Sequence, residues 1–157
     1  MQGSCTELIA LSPEERAVRS RRRLVGGIVA LAAGAVLVLA AWFQPSSDGH
    51  GTHTQLGLPP CGWVVGLGIP CPSCGMTTSF AHAADGNALG AFKAQPAGAL
   101  LALGTAFVFV VAVWQLVSGS AIGSFWLTRM DKRFFLVGGL VVLLAWIYKI
   151  LVFKGVL

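Results

Sequence analysis

Acidic side chains are almost missing from this chain: outside the N-terminal segment the only carboxylates are Asp48, Asp85 and Asp131. No two of them pair, and neither a nucleophile triad nor a glycine-rich phosphate loop occurs, so most hydrolytic and phosphoryl-transfer chemistry lacks its parts. Charge of either sign is scarce. Charged residues make up 11% of the 157 positions and apolar residues 55%, against about a quarter charged in a soluble domain. Such a chain cannot cover itself with polar surface and belongs in a lipid bilayer.

Three apolar runs account for the excess, at residues 24–43, 97–117 and 134–153. At a rise of ~1.5 Å per residue, each is about as long as the ~30 Å hydrocarbon core is thick. The third carries one cation, Lys149, close enough to the run's end for its ammonium to be expected to snorkel into the headgroups. The fold class expected is therefore an all-α membrane protein with three transmembrane helices.

Basic residues set the expected orientation. Residues 1–23 hold Arg16, Arg19, Arg21, Arg22 and Arg23, and residues 118–133 hold Arg129, Lys132 and Arg133. Both segments are expected in the cytoplasm. The connection 44–96, with Lys93, and the tail 154–157, with Lys154, are expected outside. Trp42, Phe43, Trp146 and Tyr148 fit the outer interface, Trp114 and Trp126 the inner one. The net charge of +5 thus reports a multi-pass inner-membrane topology and not nucleic-acid binding. Ser20-Arg21-Arg22-Arg23-Leu24-Val25 resembles a twin-arginine signal and Val38-Leu39-Ala40 a cleavage site, but the apolar run exceeds a typical signal core, which favours an uncleaved anchor. Gly26, Ala30 and Gly34 recur every fourth residue, a stripe through which a membrane-protein partner could approach closely.

The connection 44–96 has its own order. Residues 45–53 are small, polar and glycine-rich, which reads as a flexible loop. Residues 63–69 are apolar but too short to span. A short interfacial helix is expected over 74–84, stopped by Asp85-Gly86, and a second over 88–95 with Asn87 as its N-cap. Pro96 suits the first turn of the second span.

The densest chemistry lies in Gly68-Ile69-Pro70-Cys71-Pro72-Ser73-Cys74-Gly75-Met76-Thr77-Thr78. Pro72 suits the first position of a helix, which makes Cys71 the expected N-cap and the expected low-pKa thiol. Cys61 lies in the same connection, while Cys5 is expected on the other side of the bilayer. Three uses of Cys61, Cys71 and Cys74 follow. They fix the turn as a disulfide or packed thiols; or Cys71 and Cys74 exchange disulfides as attacking and resolving sulfurs; or the three bind a metal with His50 or His53 as fourth ligand. The eight-residue gap from Cys74 to His82 spans ~12 Å on one helix, which excludes His82 from a shared ion. Thr77, Thr78 and Ser79 are expected to bond back to the preceding turn. A thioredoxin-like domain is excluded, since no strand–helix alternation occurs.

Cys61, then Pro70-Cys71-Pro72-Ser73-Cys74-Gly75-Met76-Thr77, then Gly86, Ala91 and Pro96 resemble the signature of a bacterial family of small membrane proteins, domain of unknown function 2752. Its Cys-Pro-x-Cys-Gly-x-Thr core is commonly followed by arginine, where Thr78 stands here, and its proline is commonly preceded by asparagine, where Gln95 stands here. The resemblance implies a membrane class and location; it implies no reaction and no cofactor. The reading that emerges is a structural or interaction component with an extracytoplasmic cysteine turn, with thiol–disulfide oxidoreductase and metal binding as alternatives.

Overall fold

A computed structural model describes residues 12–46, 49, 51–122 and 131–155. Its regular elements among the described residues are all helical, and three of the helices are long and apolar enough to cross a membrane: α1 (Pro13–Trp42), α5 (Pro96–Ser118) and α6 (Lys132–Phe153). Between α1 and α5 lie a 3-10 turn (Thr52–Leu56), α2 (Gly62–Leu67), α3 (Met76–Ala84) and α4 (Ala88–Ala94). To the two short helices expected, the structure adds the 3-10 turn and α2. Cys5, His50, Asp48, Trp126 and Arg129 lie outside the described residues.

The helix α1 begins well before residue 24 because its start is capped. Ser12 Oγ accepts the Glu15 amide at 3.2 Å, Glu15 Oε2 accepts the Ser12 amide at 2.8 Å, and Pro13 fills the first helical position. This reciprocal box satisfies two orphan donors at once. The basic stretch read as a separate segment is thus continuous with the first span. Its arginines also close α5: Arg19 donates to Ser118 O and Arg23 to Val117 O, both at 3.0 Å. These are carbonyls that the end of α5 leaves without an intrahelical partner, where cations also suit the helix dipole. Gln115 Nε2 returns a bond to Arg22 O at 3.0 Å.

The stripe of small residues packs against α5 of the same chain. A Cβ on Gly26 would stand 2.9 Å from Leu116 N and 3.0 Å from Ala112 O, and one on Gly34 would stand 3.1 Å from the Phe109 ring. Ala30 between them is buried. What approaches the face closely is therefore the chain's own second span, running antiparallel to the first.

The short helices form a platform across one end of α1 and α5. Asn87 Oδ1 caps α4 by accepting the Gly90 amide at 2.8 Å, as its residue type predicts. The hydroxyls of α3 do not bond back along their own helix. Thr78 Oγ1 meets Thr52 Oγ1 at 2.7 Å, tying the 3-10 turn to α3, and Ser79 Oγ lies 2.8 Å from Ala91 O and 3.1 Å from Gln95 O. In a fully buried layer these cross-element bonds satisfy groups that would otherwise be stranded.

A three-thiol site on the helical platform

Cys61 and the pair Cys71 and Cys74 arrive from different elements. Cys61 is the N-cap of α2, which ends in the left-handed Gly68 (φ +63°). The chain then turns through Pro70 into a tight loop closed by Cys74 N donating to Cys71 O at 3.0 Å. Here the structure corrects the expected helix start. Gly75 takes φ +86° and is itself the N-cap of α3, so the turn 72–75 precedes the helix and Cys71 does not cap it. Only glycine adopts that φ without strain. Space forbids a side chain as well: a Cβ there would lie 2.7 Å from Gly49 O and 2.8 Å from Ala94 O.

The result is a convergence of sulfur atoms. Cys61, Cys71 and Cys74 are free thiols whose Sγ atoms all lie within 4.8 Å of one another. Cys74 is buried, while Cys61 and Cys71 are half-buried. Cys61 and Cys74 are shifted in opposite directions. The Cys61 thiol is lowered to about 7, chiefly by the Val64 backbone N–H, with smaller contributions from Cys71, the Trp63 N–H and Cys74, and with burial opposing them. The Cys74 thiol is pushed up to about 12, first by desolvation and then by the neighbouring sulfurs, with the Cys71 backbone opposing. The amide-assisted, lowered thiol of this site is Cys61.

Side chains from the spans hold this loop by its carbonyls. Trp146 of α6 donates its indole N–H to Pro70 O at 2.9 Å, and Gln95 Nε2 donates to Pro72 O at 2.9 Å. The amide oxygen of fully buried Gln95 has no partner among the described residues. Lys149 does not snorkel: it is 3% exposed, and its Nζ donates to Gly49 O at 2.8 Å and to Ala94 O at 2.9 Å. Its Nζ also stands 3.2 Å from where a Cβ on Gly75, the residue after Cys74, would lie. The sequence reading missed these holding roles for Trp146, Gln95 and Lys149. The signal for Lys149 was present, since an ionisable group in an apolar run marks a site more often than an anchor.

Other expected residues are sorted by the same geometry. His53 lines an open cleft of about 230 Å³ with Cys61 and Cys74, its Nε2 3.3 Å from Pro59 O, but it is not among the groups that converge. His82 also stands apart; its ring packs beside Gly90. Gly86 takes φ +75° after α3, and Pro96 opens α5. Thr78 is buried in the layer beneath the site, and Thr77 lines a separate apolar cleft with Val36 and Phe43.

Fold and site together define a small membrane-type helical protein carrying three convergent thiols on a platform at one end of its long helices. A model of the family described as "Protein of unknown function (DUF2752)" matches residues 61–109, from the first cysteine of the site into α5. No curated protein and no solved structure matches the chain.

Proposed function

We propose that this is an integral membrane protein of the bacterial inner membrane that binds a thiophilic metal ion through Cys61, Cys71 and Cys74 on its extracytoplasmic face. The observation that carries the reading is the mutual approach of three sulfurs from two separate stretches of chain. A disulfide that merely fixes a turn needs two. Around a tetrahedral zinc, sulfurs at 2.3 Å from the ion stand about 3.8 Å apart, so separations within 4.8 Å need only a small contraction. Three protein ligands also leave a fourth position open, and His53, on the wall of the same cleft, is a candidate to fill it. The placement outside rests on the arginines and lysines at the opposite ends of the spans.

The test is metal analysis of the reduced, full-length protein after equilibration with zinc. One ion per chain is expected, and replacing any one of the three cysteines by serine should weaken its retention markedly while leaving a two-sulfur site that fills at excess zinc. Retention unchanged in all three variants would refute the reading.

Thiol–disulfide exchange is the second reading, favoured by the lowered Cys61 thiol beside two others. In it the Cys61 thiolate attacks a partner protein's disulfide, forming a mixed disulfide and expelling one partner thiolate. Cys71 then displaces the second, leaving a Cys61–Cys71 disulfide and a reduced partner. A Cys71→Ser variant that accumulates a mixed disulfide through Cys61 would select this reading over metal binding.

A further inference from the structure

Lys149 places a positive charge under the sulfur cluster, and this refines the metal reading, on which it rests. The ammonium is buried, and its partners among the described residues are two backbone carbonyls, Gly49 O and Ala94 O. Carbonyls solvate a cation without cancelling its charge, and an uncancelled charge is costly in a low-dielectric setting. Cys74 is the most deeply buried of the three sulfurs, and Lys149 Nζ lies 3.2 Å from where a Cβ on Gly75, the next residue, would stand. An anion formed at the sulfurs would therefore complete an ion pair for which the cation is already in place.

The charge of that anion depends on the metal. A divalent ion reacts as M²⁺ + 3 RSH → M(SR)₃⁻ + 3 H⁺, leaving a single negative charge. A monovalent ion bound by three thiolates leaves two. Trivalent arsenic reacts as As(OH)₃ + 3 RSH → As(SR)₃ + 3 H₂O and leaves none. We propose that the site is matched to a divalent thiophilic ion, with Lys149 as the residue that neutralises the single negative charge of the three-thiolate complex.

Cadmium and arsenite, titrated into the reduced full-length protein in detergent, separate charge from architecture. Lys149→Gln keeps N–H donors for the two carbonyls and removes the charge; Lys149→Arg keeps the charge. The expected result is that Lys149→Gln weakens cadmium at least about tenfold, leaves arsenite within about twofold, and that Lys149→Arg recovers most of the cadmium affinity. Equal weakening of both probes would make Lys149 a structural residue and overturn the inference, as would unchanged cadmium binding. Failure of the unsubstituted protein to bind either probe would refute the metal reading itself, whereas tight cadmium binding indifferent to Lys149 would refute this inference alone.

Discussion

Trp146 donates its indole N–H to Pro70 O at 2.9 Å, and the same ring stands edge-on to Trp63 with centroids 6.2 Å apart. One side chain of α6 thus braces both arms of the site, α2 behind Cys61 and the turn before Cys71. Trp146→Phe keeps an aromatic body for Trp63 and loses the hydrogen bond. The cost should be about 1 kcal/mol, read as a lower melting temperature in detergent, together with faster alkylation of Cys74 as the turn loosens.

Gly75 and Gly86 make a matched comparison. Both have positive φ, +86° and +75°, but a Cβ on Gly75 meets two carbonyl oxygens below 3 Å while one on Gly86 meets nothing within 4 Å. Gly86→Ala should therefore cost only the backbone strain, about 1 kcal/mol. Gly75→Ala should cost several times more, because Gly49 and Ala94 are held on Lys149 and cannot yield without breaking its bonds. Thermal unfolding of the two variants side by side checks the ranking.

The contact between the first two spans can be tested in the same way. Gly26→Ala pushes a methyl against α5 backbone at 2.9 Å, whereas the neighbouring Gly27→Ala meets only the Leu116 side chain at 3.5 Å. The first should destabilise by about 1–3 kcal/mol. The second should be neutral or slightly stabilising, since alanine is the better helix former. Equal melting temperatures for the two would contradict the packing described.

Cys61 and Cys74 should separate by pH. With Cys61 lowered to about 7 and Cys74 raised to about 12, alkylation of reduced protein at Cys61 should rise with a midpoint near pH 7 while Cys74 stays protonated and slow. The linkage signs are opposite. Cys61 stabilises the fold most above the ordinary thiol value of 9.0 and loses that contribution as pH falls through about 7. Cys74 contributes below 9.0 and loses its share as pH rises towards 12. Mass-resolved alkylation across this range checks both midpoints.

Composition made the three long helices legible, because a charge-poor run of spanning length has few other fates. Asn87 and Pro96 likewise announced their local roles through side-chain type alone. What could not be read was tertiary. Nothing local to Gly75 shows that two carbonyls and an ammonium converge on it, so Pro72 looked like the start of a helix that in fact begins at Met76. The Ser12-Pro13-Glu14-Glu15 box was readable and would have lengthened the first helix. The destinations of Trp146 and Lys149 depend on how the third span meets the platform, a relation with residues about 76 to 100 positions away that no sequence period encodes.

The most direct test of a three-thiolate site is X-ray absorption at the zinc edge of the reduced, zinc-loaded protein. The account predicts three sulfur scatterers at about 2.3 Å and one nitrogen or oxygen at about 2.0 Å, with one sulfur lost in Cys61→Ser. A first shell made only of nitrogen and oxygen, or one unchanged by Cys61→Ser, would contradict it.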